Sequence, residues 1–195
     1  MNNYYDRETV NQNDNIKVND NIKVIDGYFP DWLIDDVGEY LSTDFPYFYN
    51  NTPYGDYSKA RFWGNTVIRD NEFTPETPWY WFFAYFNECI LKDICKDLPL
   101  SHIHRLLVNA QNPGHVSQSH TDFNHAATSV IYHAYGSDGS TVFEDGTEVP
   151  FKQGRLVIFD SRIVHDGNPP TDDIRITLGA IAPHTGVHFD NSHTK

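Results

Sequence analysis

Cysteine and positive charge are both scarce in this sequence of 195 residues. Its 2 cysteines, Cys89 and Cys95, stand six positions apart within one predicted helix, which argues against a disulfide framework and against a zinc knuckle. The 14 lysines and arginines are outnumbered by 27 aspartates and glutamates, so the formal net charge is −13, and no segment is rich in Lys or Arg. Because such a surface repels phosphate groups, we expect neither a nucleic acid nor an anionic membrane as a partner.

Long apolar runs are missing as well. No segment approaches the roughly 20 apolar residues that a membrane-spanning helix needs. The N-terminus is polar and rich in Asn, unlike a secretory signal, and we therefore expect a cytoplasmic protein. Residues 1–14 are predicted to be disordered, residues 15–183 to form a single domain, and residues 184–195 to form a polar tail.

Aromatic residues, in contrast, are abundant, with 13 Phe, 12 Tyr and 4 Trp. Side chains of this size supply the buried area that a packed domain needs, and disordered chains lack them. The sequence also contains 10 histidines. Because cysteine is nearly absent, a bound metal is expected to have nitrogen and oxygen ligands.

Two amphipathic helices are predicted ahead of a long β-rich region. The first begins at Pro30-Asp31 and the second at Thr77-Pro78, where proline occupies the first helical position. Their predicted buried stripes are Leu33, Ile34, Val37, Tyr40 and Leu41 in the first helix, and Phe82, Phe83, Phe86, Ile90 and Ile94 in the second. From His104 onward, short apolar runs with period 2 are separated by turn residues. The predicted fold class is mostly β with N-terminal helices (α+β), a sandwich or jelly roll packed against the two helices.

The segment with the clearest chemistry is His120-Thr-Asp122. In an extended strand these two side chains project to the same side and can bind one metal together. His165 follows downstream at the end of an apolar run, where a strand end would present it. Two histidines and one carboxylate form the facial triad of non-heme Fe(II) oxygenases, which leaves coordination positions open. A second His-x-Asp, His188-Phe-Asp190, lies on the polar tail without a comparable partner.

A candidate anion-binding residue, Arg175, follows His165 by ten positions. Arg175 and Thr177 share one face of a predicted strand, while Ile174, Ile176 and Leu178 share the other. A guanidinium that faces the interior of a barrel needs an anion, and its fork geometry suits a carboxylate held by two hydrogen bonds. The hydroxyl of Thr177 can donate one further hydrogen bond to the same carboxylate.

This order of residues, His-x-Asp, then His, then a basic residue ten positions on, resembles the Fe(II)/2-oxoglutarate-dependent dioxygenase superfamily and specifically its prolyl 4-hydroxylase-like branch. The resemblance covers roughly residues 104–182. It implies a double-stranded β-helix (jelly roll, cupin-like) flanked by the two helices. It also implies a hydroxylase that uses Fe(II), 2-oxoglutarate as co-substrate and O2, with ascorbate as an optional reductant, and that releases succinate and CO2.

The resemblance also implies roles for individual residues. His120, Asp122 and His165 would hold the iron, and Arg175 would pair with the distal carboxylate of 2-oxoglutarate. Tyr132 looks like the tyrosine that shares this carboxylate. Asn109 looks like the asparagine of an Asn-x-Tyr-x-Pro-Gly segment that contacts 2-oxoglutarate in the nucleic-acid dealkylating branch.

The sequence departs from the family pattern at three places, the first of which is Arg175, where the prolyl branch often has lysine. Gln111 stands where that dealkylating branch has tyrosine. The turn Ser137-Asp-Gly-Ser-Thr141 replaces the Trp-Gly-Gly-Glu-Thr of many prolyl hydroxylases, which leaves the substrate open between a small molecule and a peptide. Arg61, Trp63 and Arg162 are candidate substrate contacts, with ordinary packing as the alternative.

Two other functions are compatible with the pattern. A cupin-type metal dioxygenase has a Gly six positions before its first histidine, as Gly114 stands here, but the second cupin motif is missing before His165. A non-catalytic jelly-roll module that binds a sugar or a protein would have no affinity for Fe(II). A halogenase is disfavoured by the presence of Asp122, and nucleic-acid dealkylation by the net charge of −13. The oligomeric state cannot be inferred from the sequence.

Overall fold

The computed structural model describes residues 15–17, 21–49, 62–74, 79–115 and 117–185. Within these ranges the chain forms two α-helices, α1 (Asp31–Thr43) and α2 (Tyr80–Cys89), and α2 continues into a π-helical segment, Ile90–Ile94. The strands are β1 (Asn15–Lys17), β2 (Ile22–Ile25), β3 (Phe48–Tyr49), β4 (Trp63–Arg69), β5 (Glu72–Phe73), β6 (Arg105–Gln111), β7 (Ala127–Tyr135), β8 (Ser140–Phe143), β9 (Glu148–Pro150), β10 (Leu156–Asp160), β11 (His165–Asn168) and β12 (Arg175–Pro183).

Several sequence predictions lie outside the described residues: the disordered segment 1–14, the helix start at Thr77-Pro78, Arg61, and His188-Phe-Asp190. The division into one domain over residues 15–183 with a polar tail after it stays a prediction. Among the described residues, no helix combines the length and the apolar character that crossing a bilayer would require.

The two helices bury the faces that the sequence predicts. In α1 the buried residues Leu33, Ile34, Val37, Tyr40 and Leu41 all belong to the predicted stripe. In α2 the stripe is Phe82, Phe83 and Phe86. Both helices pack onto one sheet, and their apolar faces join the largest hydrophobic cluster of the protein.

The second helix does not run to Cys95 as one α-helix, as the sequence suggests. Its last turn widens, and the backbone N–H of Cys95 donates to the carbonyl oxygen of Ile90, five residues back, at 3.0 Å. On a regular α-helix two residues five apart point in different directions. The wider turn lets both Ile90 and Cys95 face the core, and burial raises the pKa of the Cys95 thiol to about 11.

The strands form a large and a small antiparallel sheet. In the large sheet the order is β1-β2-β10-β7-β12-β6-β4-β3, with β5 paired to β4, and in the small sheet it is β11-β8-β9. From β7 onward the chain passes back and forth between the sheets: β7, β10 and β12 lie in the large one, and β8, β9 and β11 in the small one. This alternation is the jelly-roll topology of a double-stranded β-helix, so the predicted fold class is confirmed.

The large sheet has two faces with different surroundings. Its outer face, which carries Ile176, Leu178 and Ala180 of β12, packs against the helices. Its inner face turns toward the small sheet, and there an apolar cluster closes part of the interior: Ile22, Val24, Phe143, Val149, Val157 and Phe159. Because side chains alternate along a strand, Arg175, Thr177, Gly179 and Ile181 of β12 lie on the inner face. The inner face is where the candidate site lies.

An ion pair ties the end of β2 to the start of β10. Arg155 donates to both carboxylate oxygens of Asp26, from Nε at 2.7 Å and from Nη2 at 2.9 Å, and Lys152 adds a third contact at 2.8 Å. The hydrogen bond from Arg155 is the main reason that the pKa of Asp26 falls from 3.8 to about 2.

This ion pair predicts a pH-dependent contribution to stability. Because the pKa of Asp26 is lowered in the folded state, its contribution is complete above pH 3.8 and is lost as the pH falls from 3.8 to about 2. An Asp26→Asn variant should therefore be less stable than the native protein at neutral pH, and the difference should narrow across this window. Chemical denaturation at several pH values measures it. A difference that is constant down to pH 2.5 or so would contradict the assignment.

Candidate active site

His120, Asp122 and His165 converge on the inner face. Each offers one ligand atom, and these three atoms lie within 4.8 Å of one another. The carboxylate of Asp122 is 3.8 Å from Nε2 of His120 and 3.7 Å from Nε2 of His165. Ligands that share one ion at about 2.1 Å lie about 3 to 3.6 Å apart, so a small closure brings all three onto a single metal. The geometry fits a metal with two imidazoles and one carboxylate.

Backbone pairing places the two histidines side by side. The N–H of each donates to the carbonyl oxygen of the other at 2.9 Å, and the two rings lie with their centroids 4.6 Å apart. The backbone N–H of Asp122 donates to the carbonyl oxygen of Ser161 at 3.0 Å, which fixes the position of Asp122. The triad therefore depends on strand pairing between segments some 40 residues apart, which a sequence pattern alone does not show.

Both imidazoles present the nitrogen that a metal requires. Nδ1 of His120 bonds to the carbonyl oxygen of Gln118 at 2.8 Å, and Nδ1 of His165 to that of Ile163 at 3.1 Å. Because a carbonyl only accepts, Nδ1 carries the hydrogen in each ring, and Nε2 keeps a free lone pair that faces Asp122. Burial lowers the pKa of His165, which keeps that ring neutral and able to bind a cation.

Two residues that the sequence did not identify hold the carboxylate of Asp122. Nη2 of Arg105 donates to Oδ1 at 3.2 Å, and the Ser129 hydroxyl donates to Oδ2 at 2.7 Å. Arg105 lies on β6, 17 positions before Asp122, and Ser129 lies on β7, 7 positions after it, so both lie outside the His-x-Asp motif. They fix the orientation of Asp122, as outer partners of metal-binding carboxylates do.

Arg175 is a buried cation with neutral partners. Its side chain is only 4% exposed, and its Nη1 donates to the carbonyl oxygen of Ser140 at 2.6 Å. Its Nε donates to the amide oxygen of Gln111 at 3.0 Å, and its Nη2 donates to the same oxygen. Within the part of the chain that the structure describes, no carboxylate pairs with Arg175 in a salt bridge. Burial lowers its pKa to about 10, and the more distant carboxylates of Asp138 and Asp166 offset this only in part.

Two glycines make room for this guanidinium. A Cβ at Gly167 would lie 2.6 Å from Nη2 of Arg175, and a Cβ at Gly139 would lie 3.1 Å from Nη1. The backbone at Gly167 in β11 and at Gly139, just before β8, therefore lies directly against the guanidinium of Arg175.

This close approach predicts the effect of Gly167→Ala. The added methyl displaces the guanidinium, and we expect the affinity for a carboxylate ligand such as 2-oxoglutarate to fall about five- to a hundredfold. Calorimetric titration measures the change. In an Arg175→Met background the same substitution should have little further effect, because the group that it displaces is gone. Equal losses in both backgrounds would mean that Gly167 does not act through Arg175.

Asn109 and Thr177, two further predicted site residues, lie together on the inner face. Strand register pairs Thr177 with Asn109 on one side and with His133 on the other. The three residues form a polar row across β6, β12 and β7. Arg175 and its partner Gln111 form the adjacent pair on the same face. The sequence did not identify His133 or Gln111 as site residues.

Tyr132 is not brought to this site. It is 1% exposed and lies on the outer face, where its ring packs against Phe29 and Phe86 with centroid distances of 5.6 Å to each. The reason is strand alternation. Since Ser129 reaches Asp122 from the inner face, Ile131 and His133 share that face, and Tyr132 points to the helices.

The candidate substrate contacts are less informative. Arg162 pairs with Asp160, to which its Nε donates at 2.9 Å. Trp63 is partly exposed and packs against Tyr49 with a ring distance of 5.0 Å. Arg61 lies outside the described residues.

The sequence matches no protein-family model and no curated protein, whereas the structure matches solved structures. A prolyl-4-hydroxylase from Pseudomonas putida aligns with a TM-score of 0.59 and 14% identity, over 84% of this chain and 93% of that chain. A 2OG-Fe(II) oxygenase family oxidoreductase from Burkholderia pseudomallei gives a TM-score of 0.65 and 12% identity, over 84% and 85%. A Trichoplax adhaerens prolyl hydroxylase in complex with a hypoxia inducible factor peptide fragment gives 0.62 and 12%, over 84% of each chain.

These likenesses extend over most of each chain, and they show the fold. This protein has the fold of the 2-oxoglutarate/Fe(II) oxygenases, prolyl hydroxylases among them. The resemblance inferred from the order of sequence motifs is therefore confirmed at the level of the fold. The chemistry has to be argued from the side chains of this site.

Proposed function

We propose that this protein is a non-heme dioxygenase that depends on Fe(II) and 2-oxoglutarate. His120, Asp122 and His165 hold the iron, and Arg175 binds the distal carboxylate of the co-substrate. With O2, and with ascorbate as an optional reductant, the bound iron and 2-oxoglutarate supply the oxidising power that hydroxylates an unactivated C–H bond and releases succinate and CO2.

The observation that carries this proposal is the buried guanidinium of Arg175, which donates only to neutral acceptors among the described residues. A buried cation without a carboxylate partner lowers stability, and an anionic ligand bound on the inner face accounts for the position of Arg175. A carboxylate that enters replaces neutral acceptors with a charged one, and charge-assisted hydrogen bonds are the stronger kind. A cupin-type metal dioxygenase and a non-catalytic jelly-roll module both leave this residue unexplained.

The remaining residues of the site position groups rather than transfer protons. Arg105 and Ser129 hold Asp122, and the backbone carbonyl oxygens of Gln118 and Ile163 orient the two imidazoles. The neutral ring of His165 and the lone pair on each Nε2 suit Fe(II), for which imidazole is a common ligand. The open side of a facial triad then leaves positions for co-substrate and O2.

The substrate is proposed only as a class, a small molecule or a peptide. The Trichoplax adhaerens enzyme is a prolyl hydroxylase in complex with a peptide fragment, which makes a peptidyl proline one candidate. The net charge of −13 disfavours a nucleic acid. Cys89 and Cys95 are buried free thiols, which agrees with a reducing, cytoplasmic setting.

The test is turnover that depends on 2-oxoglutarate. Protein loaded with Fe(II) is incubated in air with 2-oxoglutarate, and succinate and CO2 are quantified with and without pools of proline-containing peptides or small metabolites. We expect slow, iron-dependent succinate formation without substrate and faster formation with the correct pool. A cupin-type dioxygenase would consume O2 without 2-oxoglutarate, and that result would replace this proposal.

A further inference from the structure

Among the described residues of the inner face, three buried side-chain atoms have no hydrogen-bond partner. One is Nε of Arg105, whose Nη2 already donates to Asp122. The other two, Nε2 of His133 and Oδ1 of Asn109, both belong to the row beside Arg175. Register places these residues on either side of Thr177, two positions along β12 from Arg175. Buried polar atoms are almost always paired in folded proteins, because leaving one unpaired is costly. Two in one row beside a buried guanidinium indicate a ligand site.

The hydrogen-bond role of His133 is fixed by its surroundings. Its Nδ1 accepts from the backbone N–H of Lys152 at 3.2 Å. Because Nδ1 accepts, a neutral ring carries its hydrogen on Nε2, so the unpartnered atom is a donor. The ring is held in place by stacking on Phe151, with centroids 4.9 Å apart and planes within 9° of parallel.

The ring of His133 is also neutral. It is fully buried, and burial, followed by the nearby charge of Arg175, lowers its pKa to about 3. It therefore gives the pocket a hydrogen-bond donor without adding a second positive charge beside Arg175. Asn109 can do the same, because a half-turn of its amide presents nitrogen where the oxygen now lies.

We propose that His133 is a binding residue for 2-oxoglutarate: its Nε2–H donates to the distal carboxylate, next to the guanidinium of Arg175, with Thr177 and Asn109 completing the polar row. This inference rests on the proposed function. It assigns to His133 the role that the sequence resemblance suggests for Tyr132. Only His133 lies on the face that also carries Arg175.

The experiment compares His133→Phe, His133→Gln and Tyr132→Phe with the native protein by anaerobic titration of 2-oxoglutarate into the Fe(II)-loaded forms. We expect His133→Phe to bind 2-oxoglutarate about ten- to a hundredfold more weakly, since it removes a donor to a charged group. Gln retains an N–H donor and should recover part of the affinity. Tyr132→Phe changes a side chain on the outer face and should bind as the native protein does.

A second ligand tests whether the loss of affinity in His133→Phe arises from the distal carboxylate. 2-Oxopentanoate has the same chain length and the same 2-oxo acid end as 2-oxoglutarate, but it ends in a methyl group. It should bind the native protein and His133→Phe with equal affinity. A loss of the same size for both ligands would show that His133 acts only through the structure of the pocket, and would overturn the inference.

Nuclear magnetic resonance tests the inference on the native protein, whatever the folding of the variants. With Zn(II) in place of iron, the Nε2–H resonance of His133 should shift on addition of 2-oxoglutarate and stay in place on addition of 2-oxopentanoate. An unmoved resonance, or native affinity in His133→Phe, would refute the role of His133 while leaving the proposed function intact. No binding of 2-oxoglutarate to the native protein at all would refute both.

Discussion

Replacing Arg175 with methionine is expected to weaken 2-oxoglutarate binding by about two orders of magnitude or more while leaving Fe(II) binding unchanged. The guanidinium is buried, and a carboxylate in its fork makes two charge-assisted hydrogen bonds in a poorly solvated place. The affinity of Arg175→Lys for 2-oxoglutarate should lie between those of the native protein and Arg175→Met, because an ammonium group keeps the charge but cannot make the two parallel hydrogen bonds of a guanidinium. Calorimetry with 2-oxoglutarate, on metal-loaded protein without O2, measures all three affinities.

The same substitution should not lower the melting temperature of the protein without ligand. Arg175 has only neutral partners among the described residues, so removing it takes away a desolvated charge and breaks no salt bridge there. Arg155→Met is the matched control, because it removes two of the three hydrogen bonds that the carboxylate of Asp26 accepts. That control should lose stability and keep its affinity for 2-oxoglutarate. The reverse pattern would identify Arg175 as a structural residue.

Replacing His165 with alanine is expected to abolish tight Fe(II) binding, with a loss of about a hundredfold or more. Changes to residues that merely orient a metal ligand typically reduce metal affinity by about 10- to 100-fold, so removing a ligand itself should have at least that effect. Competition with a chelator that reports free Fe(II) measures the affinity without any turnover.

His125 provides the control for the triad. It is exposed, and its ring lies 5.5 Å from that of Phe123, close to the triad in sequence but outside it. His125→Ala should retain native affinity for Fe(II). If His165→Ala also retains it, or if both variants lose it equally, the three predicted ligands do not form the metal site.

The residues that the sequence predicted correctly as neighbours share a simple periodic signal. Arg175 and Thr177 are two apart in β12, and a period of two is a property of any strand. His120 and Asp122 are also two apart, but the strand predicted for them does not form, since His120 makes a single β-bridge to His165 and Asp122 lies in the bend that follows. The jelly roll follows from many short runs of this kind after two helical ones. Such local patterns can be predicted from the sequence because the alternation of side chains along a strand does not depend on which strands pair with it.

Alternation along β7 shows what a local pattern leaves open. The sequence shows that Tyr132 and His133 point in opposite directions, but it does not show which of them faces the interior. The contact between Ser129 and Asp122 decides this, and it joins two segments through the fold. Resemblance to a family with a tyrosine at this place favoured Tyr132. In the structure two aromatic residues, Phe29 and Phe86 of α2, contact the Tyr132 ring on the outer face.

Contacts between distant segments account for the other residues that were missed. Arg105 reaches Asp122 across 17 positions, and Gln111 reaches Arg175 across 64. At the level of sequence, Gln111 was noticed only as a departure from a family tyrosine. In the structure its amide oxygen accepts from the guanidinium, a role that depends on the pairing of β6 with β12.

The most direct test of the combined iron and 2-oxoglutarate site is an anaerobic titration of 2-oxoglutarate into the Fe(II)-loaded protein, followed by visible absorption. Chelation of the iron by the 2-oxo acid gives a weak metal-to-ligand charge-transfer band. We expect the band to appear and saturate at one equivalent in the native protein, to need far more ligand in Arg175→Met, and to be absent in His165→Ala. A native protein that binds Fe(II) and shows no band at saturating 2-oxoglutarate would contradict the account.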